Sequence, residues 1–214
     1  GPVLIFAGAG SGKTRVLTYK IAYLMTQGVD PFNILALTFT NKAAREMKER
    51  IANIVGDEAK NLWMGTFHSV FARILRIEAH KIGYTSNFTI YDSDDSQKLV
   101  ARIIKELNLD KEQYKYKIIF SRISSMKNNF ISADQYINDD EMLLSDKVSN
   151  RPKFHEIYKQ YVERCFKAGA MDFDDLLLKT NELLNSYPDT LSKYQNIFRY
   201  ILVDEYQDTN HSQY

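Results

Sequence analysis

The stretch VLIFAGAGSGKT, residues 3–14, decides the fold class of this chain. Its first part, Val3 to Ala7, is a short apolar run that predicts a buried strand. A glycine-rich turn follows, and from Lys13 to about Gln27 apolar side chains recur at helical spacing. A strand, a glycine-rich turn and a helix in this order predict a phosphate-binding loop, although the strict pattern has glycine where Ala7 stands.

The composition of this loop suits the binding of a polyphosphate. Glycines let successive backbone N–H groups turn toward an anion, and the start of the following helix adds partial positive charge. Lys13 would reach the β- and γ-phosphates, and the Thr14 hydroxyl would bind Mg²⁺. A glycine-rich turn that precedes Lys-Thr by coincidence is the alternative. The candidate nucleotide-binding residues are Ala7, Gly8, Ala9, Gly10, Ser11, Gly12, Lys13, Thr14 and Arg15.

An acidic pair near the end of the chain is the expected partner of this loop. Residues Ile201 to Val203 predict a buried strand that ends in Asp204 and Glu205. In a parallel sheet such a strand delivers its last side chains to the edge where the phosphate loop also lies. Asp204 would hold Mg²⁺ opposite Thr14, and Glu205 would orient and deprotonate a water. The candidate catalytic residues are Lys13, Asp204 and Glu205, and the candidate metal site is Thr14, Asp204 and Glu205. A solvated strand end is the alternative.

Strands and helices alternate over the first ninety residues, with strands predicted at 34–40, 62–66 and 88–91. This alternation predicts an α/β fold in which helices cover a parallel sheet. From residue 92 to about 187 the apolar spacing indicates helices only, and the sheet resumes at Tyr200. We therefore predict a discontinuous domain, residues 1–92 and 188–214, interrupted by a helical subdomain at 93–187.

Composition narrows the functional classes. The 214 residues include 28 Lys and Arg against 27 Asp and Glu, so the net charge of +1 gives no general case for nucleic-acid binding. No apolar run approaches the ~20 residues that cross a bilayer. The single cysteine, Cys165, excludes an internal disulfide and suits a reducing compartment. We expect a cytoplasmic protein that does not bind membranes.

Five segments, taken in order, point to a family: AGAGSGKTRVL, LTFTNKAAREMKERI, GTFHS, MDFDDLL and ILVDEYQDTNHSQY. Their succession resembles the UvrD/Rep/PcrA group of superfamily 1 DNA helicases over essentially the whole chain. Alanine at the first loop position, Ala7, is usual in that group. The resemblance implies a RecA-like motor domain with an inserted helical subdomain, ATP and Mg²⁺ as cofactors, and 3′ to 5′ movement along single-stranded DNA. We assign no catalysis to MDFDDLL, in which Asp172 would cap a helix and Phe173 would pack.

The resemblance also implies where DNA is contacted. The corresponding loops of relatives map here to Thr38, Phe39, Thr40, Asn41, Thr66, Phe67, His68, Tyr91 and Asp92. A phenylalanine at a strand end, Phe39, suits stacking on a base of any sequence, which contributes ~1–3 kcal/mol per base. Core packing of Phe39 and a structural role for His68 are the alternatives. Gln207 would bind the nucleotide and couple its state to DNA, or would cap a helix.

The resemblance further implies partners. Relatives complete the ATP site with a second RecA-like domain of the same parent chain, and neither that domain nor the upstream glutamine segment that recognises adenine is matched here. We expect the parent protein to act on single-stranded DNA and on single-strand/duplex junctions in DNA repair or replication, and this chain alone to hydrolyse little ATP. A helicase–nuclease and a translocase that displaces bound proteins share these motifs and stay open.

Overall fold

The computed structural model describes residues 2–6, 8, 11–210 and 213 of the chain. The chain divides into two compact units. Unit 1 comprises Gly1–Phe71 and Leu184–Thr209, and unit 2 comprises Ala72–Leu183 and Asn210–Tyr214. Each unit is therefore built from two separate stretches of sequence.

Helices alternate with strands at first and then dominate the middle of the chain. The strands are β1 (Ile34–Thr38), β2 (Trp63–Thr66), β3 (Thr89–Tyr91), β4 (Ala170–Asp172) and β5 (Tyr200–Val203). The α-helices are α1 (Lys13–Thr26), α2 (Asn41–Val55), α3 (Phe67–Glu78), α4 (Ser93–Glu106), α5 (Tyr116–Asn128), α6 (Ala133–Ile137), α7 (Asp140–Val148), α8 (Phe154–Lys167), α9 (Phe173–Ser186) and α10 (Pro188–Ile197). Short 3₁₀ segments lie at Pro31–Asn33, Gly56–Asn61, Ala79–Ile82 and Tyr206–Asp208.

A parallel sheet organises unit 1, and its described strands follow the order β2–β1–β5. In the register of this sheet, Ala36 of the central strand lies between Met64 and Leu202. Parallel neighbours cannot be joined by tight hairpins and need crossover connections, which the helices supply. The α/β class with a parallel sheet, predicted from the alternation, is confirmed.

Helices α1 and α2 contribute one apolar face each to the core of unit 1. The core joins Ile21 of α1 to Ile34 of β1 and to Met47 and Ile51 of α2, all completely buried. Full burial of a side chain of this size stabilises the fold by ~1.5–3 kcal/mol. All five residues of β1 are buried, as expected for the central strand of a parallel sheet that is covered by helices.

Thr40 caps α2. Thr40 has an extended backbone, and its hydroxyl oxygen accepts a hydrogen bond from the Ala43 N–H at 3.1 Å, while Asn41 is the first helical residue. Threonine and asparagine are both favourable cap residues, so two of them in succession leave the position of the helix start open.

The strand predicted before the phosphate loop is not found in the described residues. Residues 2–6 have no strand assignment and are exposed, and Ala7 lies outside the described residues. The prediction is therefore wrong for residues 3–6. A short apolar run indicates a tendency to be buried, but it does not specify a backbone partner, and periodicity alone cannot assign such a run.

Unit 2 combines a helical core with a small sheet. Helices α4, α5, α6 and α8 meet around buried side chains, which include Val100, Ile103, Ile119, Ile123, Tyr136, Phe154, Ile157, Tyr158 and Tyr161. Strand β3 pairs with β4 in parallel, with Ile90 opposite Met171. This pairing brings together two segments about eighty residues apart in sequence.

The pairing corrects two expectations. The region 92–187 does not contain helices only, because β4 lies within it, and the strand at 89–91 joins β4 rather than the sheet of unit 1. The unit boundaries, at 71/72 and 183/184, consequently differ from the predicted domain boundaries at 92/93 and 187/188. The assignment of the two units to a motor domain and an inserted subdomain stays a prediction.

Among the described residues, no helix combines the length and the apolar character that crossing a membrane requires.

Candidate active site

The phosphate-binding loop leads directly into α1. Gly12, at the start of the helix, has a φ of 89°, a left-handed conformation that favours glycine. The hydroxyl of Ser11 donates a hydrogen bond to the carbonyl oxygen of Gly8 at 2.6 Å, which closes a turn within the loop. Lys13 and Thr14 are the first residues of the helix, so their side chains project from its amino-terminal turn. The predicted loop residues Ala7, Ala9 and Gly10 lie outside the described residues.

The acidic side of the site is positioned by the sheet. The backbone N–H of Asp204 donates to the carbonyl oxygen of Leu37 at 2.9 Å and so extends the pairing of β5 with β1 by one residue. The Asp204 side chain is buried, and its Oδ2 accepts a hydrogen bond of 3.0 Å from the Thr14 hydroxyl, across 190 positions of sequence. The structure therefore brings together two of the three predicted metal-binding residues, Thr14 and Asp204, from distant parts of the sequence.

Glu205 is the second carboxylate of the candidate site and lies beside Lys13. Its carboxylate lies 3.6 Å from the Lys13 ammonium group, and the two side chains are 40% and 28% exposed, so water reaches both. The side chain of Gln207 donates a hydrogen bond to Glu205, and this bond lowers the pKa of the Glu205 carboxyl, with the charge of Lys13 as a further cause. Glu205 is therefore ionised at neutral pH.

The backbone of Glu205 is unusual for a residue with a side chain. Its φ of 51° and ψ of 45° place it in the left-handed region, which costs a non-glycine residue energy. Residues in such conformations are concentrated at functional sites, where the surrounding structure holds them in place. Here β5 holds the preceding Asp204, and the 3₁₀ segment Tyr206–Asp208 follows directly.

The oxygen atoms of Thr14 and Asp204 fit a magnesium ion. Mg²⁺ prefers oxygen ligands, and in nucleotide sites it is held by one or two protein groups while phosphate oxygens and water complete its coordination. The described residues hold no group of three or more His, Cys, Asp or Glu side chains that could bind a metal by themselves. One hydroxyl beside one carboxylate suits a metal that arrives with a nucleotide rather than one held by the protein alone.

Comparisons with known proteins decide the family. The model of the UvrD/REP helicase N-terminal domain matches residues 1–214. This chain belongs to the UvrD/REP helicase family. Similar relatives include the ATP-dependent DNA helicase PcrA of Staphylococcus epidermidis and that of Staphylococcus aureus, each 46% identical over 215 aligned residues. The alignment covers 100% of this chain and 29% of each relative, so the chain spans less than a third of their length.

Three of the residues predicted to contact DNA in this UvrD/REP domain have buried side chains. Thr38 donates its hydroxyl hydrogen bond to the carbonyl oxygen of Thr40 at 3.1 Å. Thr66 accepts a hydrogen bond from the Ser69 N–H at 3.2 Å, and the ring of Phe67 is only 3% exposed. These three side chains therefore contribute little to the surface of unit 1, and the expectation that they contact DNA stays a prediction.

Gly65 explains the close packing of this turn. The Ser69 hydroxyl folds back onto the carbonyl oxygen of Thr66 at 2.9 Å and occupies the place where a Cβ at residue 65 would stand. A side chain at residue 65 would force the Ser69 hydroxyl to turn away and give up this hydrogen bond, so packing favours glycine in the GTFHS segment independently of any ligand.

The other candidates of unit 1 reach the surface. Phe39 is half-buried and rests edge-on against the Phe67 ring, with 5.6 Å between the ring centroids. Thr40 and Asn41 are exposed, and His68 is half-buried. The Phe39 ring thus contacts an aromatic neighbour and keeps access to solvent.

The two remaining DNA candidates belong to unit 2. Tyr91 packs partly against the core of that unit, and Asp92 is the N-cap of α4, where Oδ1 accepts hydrogen bonds of 2.8 Å from the N–H groups of Asp94 and Asp95. Capping accounts for the aspartate without a ligand.

Sequence reasoning missed a buried charge cluster around the MDFDDLL segment. Lys127, 1% exposed, places its ammonium group 2.7 Å from Asp172 Oδ2 and 2.8 Å from Asp175 Oδ1. Asp172 Oδ1 accepts a hydrogen bond from the Asp175 N–H at 2.8 Å, which confirms Asp172 as a cap of α9, whereas Phe173 is exposed and not packed in the core. The spacing of three residues between Asp172 and Asp175 was the one sequence signal for this cluster. Nothing in the sequence around Lys127 indicates that it is buried beside them.

Sequence reasoning named Arg15 as a candidate nucleotide-binding residue but missed the exposed face of α1 on which it lies. Arg15 and Tyr19, one helical turn apart, line an open cavity of about 500 Å³ together with Ser11, Gly12 and Val16. The guanidinium carbon of Arg15 lies 5.5 Å from the centroid of the Tyr19 ring. The apolar spacing of α1 describes its buried face only, but the i, i+4 pair of arginine and tyrosine was visible in the sequence.

Proposed function

We propose that the protein to which this chain belongs is an ATP-dependent DNA helicase that moves along single-stranded DNA. The observation that carries the proposal is the hydrogen bond between the Thr14 hydroxyl and Asp204, with Lys13 and Glu205 beside it. Membership of the UvrD/REP family supports it, as do relatives that bear the name ATP-dependent DNA helicase PcrA.

The site suits hydrolysis of ATP by water. The loop of Gly8–Lys13 and the start of α1 bind the phosphates, and Lys13 stabilises the charge that gathers on the γ-phosphate oxygens. A water oxygen bonds to the γ-phosphorus while the bond from that phosphorus to the β–γ bridging oxygen breaks, which gives ADP and phosphate. Glu205, ionised at neutral pH, orients this water and accepts its proton.

Thr14 and Asp204 would hold Mg²⁺, which supplies positive charge to the phosphate oxygens when it is bound. Gln207, which donates a hydrogen bond to Glu205, fixes the orientation of that carboxylate. We propose that Gln207 thereby links the state of the nucleotide to the rest of the protein.

The DNA track of unit 1 is proposed to consist of Phe39, Thr40, Asn41 and His68. The Phe39 ring stacks on a base, and hydroxyl and amide groups of Thr40 and Asn41 bind the phosphate backbone without reading the sequence. A motor that walks along any strand needs contacts of this kind. Tyr91 and Asp92 of unit 2 stay weaker candidates, since each already has a structural role.

We further propose 3′ to 5′ movement, action on single-strand/duplex junctions, and a role in cytoplasmic DNA repair or replication. A second RecA-like domain of the parent chain would complete the ATP site, so the 214 residues alone would turn over ATP slowly. To test the expected slow turnover, the ATPase rate of this chain is compared with that of the full-length protein, both in the presence of single-stranded DNA.

Replacement of Lys13 tests the proposal as a whole. We expect Lys13→Ala in the full-length protein to lower ATP turnover by a factor of at least about 10³, because one positively charged donor to the transferring phosphoryl group is lost. Lys20→Ala, on the same helix, is the matched control and should retain turnover. Binding of single-stranded DNA should stay within about twofold in both variants. Turnover by Lys13→Ala at the unsubstituted rate would refute the proposed site.

A further inference from the structure

The MDFDDLL segment carries a third carboxylate, Asp174, which has a different partner from the other two. Asp174 Oδ1 accepts a hydrogen bond of 2.8 Å from the side-chain amide of Asn128, the last residue of α5. Asn128 Oδ1 in turn accepts a hydrogen bond of 3.4 Å from the side-chain amide of Asn210. All three residues belong to unit 2, and we call the contacts Asp174–Asn128–Asn210 the asparagine bridge.

The direction of the hydrogen bonds in the asparagine bridge is set at its acidic end. A carboxylate only accepts hydrogen bonds, so Asp174 faces the NH₂ group of Asn128. The same NH₂ group donates to the carbonyl oxygen of Ser124 at 2.9 Å, one helical turn back. The amide oxygen of Asn128 is therefore directed to Asn210, from which it requires a donor.

Asn210 follows the acidic pair of the candidate active site after a short turn that is hydrogen-bonded internally. The Asp208 N–H donates to the carbonyl oxygen of Glu205 at 2.9 Å. The N–H and the hydroxyl of Thr209 donate to the carbonyl oxygen of Tyr206 at 3.1 and 2.7 Å. Because these bonds make the turn compact, a displacement of Asn210 is passed on to Glu205.

Glu205 needs support on both sides because its backbone is left-handed. A φ of 51° costs energy in a residue with a side chain, and the surrounding structure must hold it. On one side the preceding residue, Asp204, is fixed by its N–H bond to the Leu37 carbonyl oxygen of β1. On the other side the asparagine bridge holds the chain at Asn210, five residues after Glu205.

We propose that Asn210 is a positioning residue for ATP hydrolysis: the asparagine bridge holds the turn that follows Glu205 and so keeps the Glu205 carboxylate where it orients the attacking water. The inference rests on the proposed ATP site and gives the MDFDDLL segment a role in it, since Asp174 orients Asn128. Without the Asn210 donor, the turn gains conformations in which Glu205 is misplaced. Hydrolysis then slows, because small displacements of a catalytic group are costly, whereas nucleotide binding through the loop and Lys13 is kept.

The end of α5 offers a matched control. Asn128 and Asn129 are neighbours, and the side-chain amide of each donates to the carbonyl oxygen four residues back, of Ser124 at 2.9 Å and of Ser125 at 2.7 Å. Asn128 belongs to the asparagine bridge, and Asn129 does not. The two residues thus share residue type and local bonding, and they differ in their link to the turn after the acidic pair.

Steady-state ATP hydrolysis by the full-length protein, with saturating single-stranded DNA, tests the role of Asn210. Asn210→Ala, and Asn210→Asp, which keeps the size but replaces the donor by an acceptor, should each lower kcat about three- to tenfold and change the Kd for ATP by less than about twofold. Asn128→Ala should lower kcat by the same factor, and Asn129→Ala should leave it unchanged. The thermal midpoint of the Asn210 variants should stay within about 2 °C of the unsubstituted value, since Asn210 is exposed.

Two double substitutions decide whether Asn210 acts through Asn128 and Glu205. Asn128→Ala combined with Asn210→Ala should lower kcat no more than either change alone. In a Glu205→Gln background, followed by single-turnover measurements, Asn210→Ala should cause no further loss.

An unchanged kcat in both Asn210 variants, an equal loss in Asn129→Ala, or a further loss in the Glu205→Gln background would overturn the inference. Failure of the proposed function looks different, since Glu205→Gln and Lys13→Ala by themselves would then leave turnover intact.

Discussion

Two regions of the molecule combine the same charged groups in opposite surroundings. Each contains one lysine and two carboxylates: Lys13 with Asp204 and Glu205 in unit 1, and Lys127 with Asp172 and Asp175 in unit 2. In unit 1 the lysine and Glu205 are 3.6 Å apart and reached by water. In unit 2 the lysine lies within 2.8 Å of both carboxylates and is almost completely buried.

The difference lies in what remains available for a ligand. All four carboxylate oxygens of Asp172 and Asp175 accept hydrogen bonds, from Lys127, from the Tyr161 hydroxyl at 2.7 Å and from the two backbone N–H groups. Every oxygen of this buried cluster already has a partner within unit 2, so we infer that the cluster serves the fold. In unit 1 the Asp204 carboxylate accepts hydrogen bonds from the Thr14 hydroxyl and the Glu205 N–H. The Glu205 carboxylate accepts one from Gln207 and lies 3.6 Å from Lys13, where water reaches both charged groups. This site, beside an anion-binding loop, can therefore rearrange around a nucleotide.

The sharpest test of this comparison replaces each lysine by methionine. We expect Lys127→Met to lower the free energy of unfolding by about 3–5 kcal/mol, because two buried carboxylates lose their counter-charge. Lys13→Met should cause no measurable loss of stability, since its ion pair is exposed to water. Urea unfolding of the 214-residue chain, followed by circular dichroism, measures both. Equal losses in the two variants would show that burial does not distinguish the two clusters.

The candidate site of unit 1 was predictable because both of its halves are visible locally. Glycines before Lys13 and Thr14, and an apolar run before Asp204 and Glu205, each indicate a loop or strand end. The rule that loops and strand ends share one edge of a parallel sheet then joins them, whatever the distance in sequence. The hydrogen bond of 3.0 Å from Thr14 to Asp204, which joins residues 190 positions apart in sequence, agrees with this rule.

Other features depend on tertiary packing, which no local pattern reports. Phe39 and Phe67 both follow the ends of strands, yet the first is half-buried and the second almost completely buried, since Phe67 supports Phe39 from beneath. Lys127 sits on an amphipathic helix and is 45 positions from its partner Asp172, so its burial has no local signature. The strand β4 is three residues long and exists through its pairing with β3.

The next test measures how the stability of the chain changes with pH as Asp175, in the buried cluster, loses its proton. Burial and the neighbouring charge of Asp172 raise the pKa of Asp175 to about 6, from 3.8 for an ordinary aspartate. Between these values the folded state binds the proton more tightly than the unfolded state. The stability that this proton contributes is therefore fully present below pH 3.8 and is lost as pH rises through about 6, at about 1.4 kcal/mol per pH unit.

Asp175→Asn removes this titration. We expect the free energy of unfolding of the unsubstituted chain, minus that of the variant, to fall by about 3 kcal/mol in total between about pH 3 and about pH 7 and then to level off. The neighbour Asp172 acts in the opposite direction, because Lys127 lowers its pKa against the effect of burial, and its contribution changes below pH 3.8. Urea unfolding at intervals of half a pH unit measures the difference. A difference that rises with pH would contradict the direction of the Asp175 shift.

The smallest expected effects come from removing one hydroxyl in each region. Tyr161→Phe deletes the hydrogen bond to buried Asp172, and Thr14→Val deletes the hydrogen bond to Asp204. Since hydrogen bonds to charged groups contribute about 1.5–3 kcal/mol and partly exposed ones less, we expect Tyr161→Phe to lower the free energy of unfolding by about 2 kcal/mol and Thr14→Val by about 1 kcal/mol.

The effects on ligand binding should have the opposite order. Thr14→Val should abolish Mg²⁺-dependent ATP binding, and Tyr161→Phe should preserve it. Thermal unfolding with and without Mg²⁺ and ATP measures both quantities. Loss of ATP binding in Tyr161→Phe, or its retention in Thr14→Val, would remove the distinction between a cluster that holds the fold and one that holds a ligand.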